Sequence, residues 1–306
     1  MDYLILILGF TLLIFSGNYL VKSAANIANH FNISKMVIGL LVVSFGTSAP
    51  ELFVSLQAAF KGLPEMALGN VIGSNIANIA LVLGLTSIIF PIIVKSKTIF
   101  WDWSLMLIAS IMLYLFILDN LLSSYEGVIF LVVLASYILF TIKHNKISED
   151  KVSNVKSNLW IDFLLLIGSM FGMYFGSDFL VESASSIAKN WGVSEKVISV
   201  TIIAFGTSVP ELATSVIAAF KKEMDISIGN IIGSNIFNIL SILGITVLVH
   251  PIHVNAVSLN TDMYWMIGIA VALLLSILPL KKGQIGRVNG LLFVAAYFIY
   301  IFSQFS

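Results

Sequence analysis

The sequence predicts an all-α integral membrane protein of ten transmembrane helices, built as two inverted five-helix repeats in which helices two and seven are discontinuous. Three observations carry this prediction. The chain is 58% hydrophobic and only 10% charged, whereas an ordinary soluble domain carries about 25% charged residues. It contains ten apolar stretches, most of them near the length of about 20 residues that a helix needs to cross the hydrocarbon core. Finally, a long segment of the first half recurs in the second, with Gly46 and Gly206 opening the two copies 160 positions apart.

The ten stretches are 3–27, 35–60, 66–90, 100–118 and 127–142, then 159–187, 196–220, 226–249, 262–280 and 288–305. Each is bounded by charged residues or by Pro and Gly, which punctuate helices. The first carries Asp2, has no basic segment before it and no small-residue cleavage site after it, so it reads as a retained span. The polar stretch KHNKISEDKVSNVKSN separates a first repeat, 1–142, from a second, 159–306. This linker, 143–158, is too short to fold as a regulatory domain. The absence of cysteine excludes disulfides and thiolate metal sites. The zero formal net charge offers nothing to a nucleic acid, and nothing in the sequence sets an oligomeric state.

Orientation follows from Lys and Arg. With the N-terminus outside, the inward loops hold thirteen of the 16 basic residues, and the outward loops hold only Lys61, Lys189 and Lys196. This bias predicts a multi-pass protein of the cell (inner) membrane, with both termini outside and the linker cytoplasmic. The copies are offset by five spans, an odd number, so they insert with opposite orientation, as expected of an alternating-access carrier.

The copies share two motifs. GTSAPEL from Gly46 matches GTSVPEL from Gly206, and GNVIGSNIANI ending at Ile79 matches GNIIGSNIFNI ending at Ile239. Between 40–91 and 200–251, 25 of 52 aligned positions are identical. Shared hydrophobicity would preserve apolar residues; here the polar ones are kept, which argues for one duplicated functional unit. The likeness extends upstream, where LVKSAANIANHFNIS from Leu20 aligns with LVESASSIAKNWGVS from Leu180.

Positions three or four apart share a helix face. One such face holds Ser44, Thr47, Ser48, Glu51 and Ser55, and its repeat holds Ala204, Thr207, Ser208, Glu211 and Ser215. The following spans contribute Asn70, Ser74 and Asn78, and Asn230, Ser234 and Asn238. Pro50 and Pro210, near Gly46 and Gly206, break the second and seventh spans, because proline lacks a backbone donor and clashes with the preceding turn. Freed carbonyls are then expected to point into a cavity, since irregular backbone at that depth must line protein or water. Carbonyls, hydroxyls and two carboxylates make an all-oxygen site. Hard cations such as Ca²⁺ and Na⁺ prefer such a site, whereas softer metals would call for Cys or His. One divalent cation neutralises both glutamates, two or three monovalent cations could replace it, and competition for the same carboxylates is a physical basis for exchange.

Ordinary structural roles compete with these readings. A lone Ser or Thr in a span also serves helix packing, and a lone Asn can be an interhelical hydrogen bond. Two mid-membrane glutamates at matched positions are harder to explain structurally. Gly168, Gly172 and Gly176 read as a packing or sliding surface, and His30, His144, His250 and His253 as interfacial. Asp119, Glu126, Glu149 and Asp150 read as solvated. Asp178 and Glu182 could border an external vestibule, but Glu182 aligns with Lys22, so neither belongs to the duplicated site.

These motifs resemble the two α-repeats of the Ca²⁺/cation antiporter family, particularly prokaryotic sodium/calcium exchangers, over nearly the whole chain. The resemblance implies a central site between spans two, three, seven and eight. Glu51 and Glu211 would bind Ca²⁺ with backbone oxygens at Thr47 and Thr207. Sodium would use the same glutamates, the Ser44 and Ala204 carbonyls, and the side chains of Ser48, Ser74, Ser208 and Ser234, with Asn78 and Asn238 completing the polar set. Spans one and six would form a mobile bundle. Potassium-dependent exchangers carry Asp where this chain has Asn238, which argues against K⁺ co-transport. The large Ca²⁺-sensing insertion of animal exchangers is absent. The implied function is Na⁺/Ca²⁺ antiport, with Ca²⁺ and Na⁺ as transported ions and no cofactor. The alternative is a proton-coupled Ca²⁺ or Mn²⁺ antiporter. A channel fits an inverted duplicate less well, and an enzyme lacks any HExxH motif, Ser–His arrangement or cysteine nucleophile.

Overall fold

A computed structural model of the chain describes residues 1–93, 99–144, 157–193, 204–254, 256–277 and 284–304. Most of the predicted linker, and residues 196–203 of the seventh predicted span, lie outside the described residues. Among the described residues the fold is all-helical apart from four two-residue strands. Among the described residues, seven helices are long and apolar enough to cross a membrane: Asp2–His30, Met66–Ile89, Ile99–Asp119, Ser124–His144, Leu159–Asn190, Met224–Val249 and Asn260–Ile277. An eighth span is counted if Lys35–Thr47 and Ala49–Phe60, bent by 43° at their break, are taken as one. Val209–Phe220 and Arg287–Ser303 are shorter apolar helices.

The break falls where the prolines direct it. Ser48 sits between the two pieces at φ −87°, ψ 6°, with Pro50 in the first turn of the following helix. Ser208 repeats this at φ −89°, ψ 2°, ahead of Pro210 and the Val209–Phe220 helix. A proline in a first helical turn is tolerated because that N–H would lack a partner anyway. Three π-helical segments among the described residues were not legible in the sequence: Gly39–Val43, Asn78–Leu83 and Asn238–Leu243. A π turn inserts one extra residue and often marks a functional site; here two of the three open on the motif asparagines.

Met66–Ile89 and Met224–Val249 form the centre, with 78% and 89% of their most apolar windows buried, against 28–33% for the other long helices. Their polar stripes therefore face protein. Phe10, Phe15, Phe171, Phe175 and Phe298 are exposed on the outer helices, as suits side chains against lipid.

Between apolar helices in lipid, association rests on close packing at small residues. A Cβ on Gly9 would fall 2.9 Å from the Gly176 carbonyl oxygen, and one on Gly172 would fall 2.1 Å from Ser16 Oγ. Gly172 and Gly176 thus form the packing surface expected of them, whereas a Cβ on Gly168 would meet no atom within 4 Å. The short strands join the two halves: Ile92–Ile93 pairs with Gln284–Ile285, and Leu121–Leu122 with Ile252–His253. This is a small departure from a purely helical fold, and it places His253 in a strand.

Candidate cation site

The two breaks bring the motif carboxylates into the interior, where Glu51 and Glu211 are both completely buried. Neither forms an ion pair with a described residue. The two are not equivalent. Glu211 Oε1 accepts hydrogen bonds from Ser48 Oγ at 2.9 Å and Ser234 Oγ at 3.3 Å, while its Oε2 makes none. Both carboxylate oxygens of Glu51 lack a hydrogen bond to any described residue, as do Ser208 Oγ, both amide atoms of Asn78 and Asn238 Oδ1. Buried polar atoms are nearly always paired, and an ionised carboxylate at a helix centre costs about 2.5–3.5 kcal/mol on insertion scales. A concentration of orphaned oxygens around two buried carboxylates has the chemistry of a hard-cation site. Among the described residues there is no cluster of three or more His, Cys, Asp or Glu, so a cation here depends on two carboxylates and neutral oxygens.

The other predicted residues take up different positions around the carboxylates. Ser48 and Ser234 contact a carboxylate directly. Thr47 Oγ1 donates to Asn230 Oδ1 at 3.1 Å, and Ser74 Oγ lies 3.5 Å from Thr207 Oγ1. These contacts link the first copy of the motif to the second. Asn238 points elsewhere, donating to Asn75 Oδ1 at 3.0 Å. The Ser44 carbonyl already accepts from Ser48 N at 2.9 Å and from Thr47 Oγ1 at 3.3 Å, and the Ser44 hydroxyl bonds to the Leu40 carbonyl. Ala204 begins the single turn Ala204–Gly206 before the second break.

One expectation needs correction. Pro210 frees the Gly206 carbonyl, but that oxygen does not stay free for the cavity: Ser177 Oγ donates to it at 2.7 Å. Ser177 belongs to Leu159–Asn190, and its repeat counterpart is Gly17, so the contact has no twin in the first copy. A cavity of about 290 Å³ reaches the breaks at Pro50, Gly206 and Thr207, and its wall includes Gln57, Tyr174 and Asp178. Asp178 therefore borders a passage toward the motifs. Glu182 is absent from its lining.

With this geometry in place, comparison with known proteins is decisive. The profile of the family described as "Sodium/calcium exchanger protein" matches residues 1–143 and 161–306. The chain belongs to the sodium/calcium exchanger family. Among its relatives, a putative antiporter CaxA from Alkalimonas amylolytica is 39% identical, over 98% of this chain and 97% of that protein. The sodium/calcium exchanger MaX1 of Methanosarcina acetivorans is 29% identical over 98% of each. A solved structure of the sodium-calcium exchanger NCX_Mj superposes with a TM-score of 0.86 at 34% identity, covering 99% of this chain and 98% of that one.

In this exchanger-family chain, several supporting residues escaped the sequence reading. Asn70, noted only as part of a polar stripe, donates to the Glu51 carbonyl at 3.2 Å and to Ser55 Oγ at 3.0 Å, bracing the carboxylate's own backbone. Asn230 holds Ser215 in the same way at 3.2 Å. Asn75 donates to the Asn235 carbonyl at 3.3 Å. The signal for Asn75 and Asn235 was available, since both stand in the GSN triplet at the repeat offset. Asp102, buried and hydrogen-bonded by the Tyr137 hydroxyl at 2.5 Å, recurs as Asp262 160 positions on, outside the shared motifs.

Proposed function

We propose that this chain is a secondary active transporter that exchanges Na⁺ for Ca²⁺ by alternating access, with ten spans arranged as two inverted halves. The observation that carries the reading is the pair of fully buried glutamates, Glu51 and Glu211, among neutral oxygens and without an ion pair among the described residues. Two carboxylates balance one Ca²⁺, and this ion takes six to eight oxygens at about 2.3–2.6 Å. Thr47, Thr207, Ser48, Ser208, Ser74, Ser234, Asn78 and Asn238 supply candidate oxygens, with the Ser44 and Ala204 carbonyls as further ones. The names of relatives agree in kind, MaX1 being called a sodium/calcium exchanger and NCX_Mj having been soaked with Na⁺ and Ca²⁺. The deciding experiment is radiolabelled Ca²⁺ uptake into proteoliposomes under imposed Na⁺, K⁺ or pH gradients. Uptake that follows only the sodium gradient is expected; uptake that follows only pH overturns sodium coupling.

The hydroxyls separate the two ions. Bound Ca²⁺ draws most of its stabilisation from the carboxylates, whereas a flanking Na⁺ relies on neutral oxygens. Ser74→Ala and Ser234→Ala are expected to raise the half-saturating sodium concentration far more than that for calcium, both measured in the same vesicles. Equal shifts for the two ions would mean that the sites are not divided in this way.

For orientation, the proposal puts both termini outside and the linker in the cytoplasm of a cell-membrane protein. Ser153→Cys in this cysteine-free chain should resist an impermeant thiol reagent added to intact cells and react after permeabilisation. Ready labelling in intact cells would reverse the topology.

A further inference from the structure

Asp2 and Asp162 are 160 positions apart, and so are Asn26 and Ser186. Each half thus opens its first helix on an aspartate in the first turn and carries a small polar residue 24 positions later. The fold pairs them crosswise. Asn26 Nδ2 donates to Asp162 Oδ1 at 2.9 Å, and Ser186 Oγ donates to Asp2 Oδ2 at 2.6 Å. In both pairs the residue numbers add to 188, and the same holds for Ser16 and Gly172, whose added Cβ would fall 2.1 Å from Ser16 Oγ. Asp2–His30 and Leu159–Asn190 are therefore antiparallel, in one register from end to end.

Twenty-four residues of helix span about 36 Å, more than the roughly 30 Å hydrocarbon core, so the two contacts lie near opposite faces of the membrane. Sliding one helix along the other by a single turn, about 5.4 Å, breaks both at once. The second of these helices, Leu159–Asn190, abuts both motif breaks. Met170 packs where a Cβ on Gly46 would fall, Val181 packs against Gly206, and Ser177 holds the Gly206 carbonyl.

We propose that Asp2–Ser186 and Asn26–Asp162 are register clamps. They are positioning residues that lock the two helices into one strut, so that displacing the strut changes its cover over the two breaks together. This rests on the exchange function proposed above, which is measured first on the unaltered chain in the same vesicles.

The absence of cysteine permits a direct test. Asn26→Cys with Asp162→Cys, and separately Asp2→Cys with Ser186→Cys, are bridged by a short bifunctional thiol reagent. Efficient bridging with at least half the turnover retained is expected. Bridging that stops transport, or a failure to bridge, overturns the clamp. In a second arm, Asn26→Leu and Ser186→Ala are combined. Hydrogen bonds between membrane helices are worth about 0.6–1.7 kcal/mol, so losing each clamp favours slipped registers about 3- to 20-fold. Turnover should fall at least about threefold, with Ca²⁺ and Na⁺ half-saturation unchanged. Asn26→Asp with Asp162→Asn, which reverses the hydrogen bond, should restore the rate lost in Asn26→Leu. Unchanged turnover, altered half-saturation, or no rescue would count against the proposal. If the unaltered chain shows no sodium-driven flux, the exchange reading alone fails. The clamp is then decided by bridging yield and by the coupling between Asn26→Leu and Asp162→Leu in thermal unfolding, where additivity overturns it.

Discussion

Glu51→Gln and Glu211→Gln are each expected to abolish sodium-driven calcium exchange while leaving the protein folded. Glutamine keeps the size of the side chain and removes half of the site's negative charge. Truncating one partner of a buried charge pair costs about 2–5 kcal/mol, or about 30- to 5,000-fold in calcium affinity. The two variants should differ in stability without cation. The Glu51 carboxylate has no hydrogen bond to a described residue, so Glu51→Gln removes an uncompensated buried charge and should melt no lower than the parent in calcium-free detergent. Glu211→Gln alters the oxygen that Ser48 and Ser234 hold, so some destabilisation is expected. Calcium should raise the melting temperature of the parent, because a ligand that binds only the folded state stabilises it by mass action, and should have no such effect on either variant. Parental exchange rates in either variant would remove the glutamates from the mechanism.

Gly233→Val is expected to cost both fold and transport. A Cβ at this position would fall 2.3 Å from the Leu40 carbonyl oxygen and 2.6 Å from Ser44 Oγ. The first obstacle is backbone, in the π-helical Gly39–Val43 segment, so it cannot rotate away. Gly39 and Gly229 belong to the same crossing: a Cβ on Gly39 would meet the Ile226 carbonyl oxygen at 2.7 Å, and one on Gly229 the Met36 carbonyl oxygen at 2.6 Å. Overpacking of this kind costs about 1–3 kcal/mol. It would also push apart the helices that carry Ser44, Thr47 and Ser234. Lower thermal stability and loss of exchange are expected together. Gly168→Ala is the control, since its Cβ would meet no atom within 4 Å and alanine is the better helix former. A Gly233→Val protein with parental stability and exchange would show that this crossing is not tight.

The positions of the helix breaks were legible because their cause is local. A proline lacks its N–H wherever it stands, so Pro50 and Pro210 place the bends within a few residues without reference to the rest of the chain. The candidate site was legible for a related reason. Duplication puts each chemically unusual residue in the sequence twice, and two glutamates in apolar surroundings cannot be explained as packing. The same signal was present but unread for Asp2 with Asp162 and for Asn75 with Asn235, which lie just outside the residues first singled out.

What the tertiary structure decided is which partner each side chain meets. Repeat symmetry alone makes Glu51 and Glu211 equivalent, yet the Ser48 hydroxyl reaches across to Glu211 while the hydroxyl of its counterpart Ser208 bonds to no described residue. The Gly206 carbonyl finds Ser177, whereas the corresponding position in the first half is Gly17, which has no hydroxyl. The π-helical segments are also settled here, since an extra residue in a helical turn depends on what packs against it. Sequence periodicity specifies which face of a helix is polar, because that depends on spacing along one chain segment. It carries no record of the register in which two antiparallel helices dock, because register is chosen by side chains more than a hundred residues apart, and in this protein that docking turns a duplicated set of residues into two unequal halves of one candidate site.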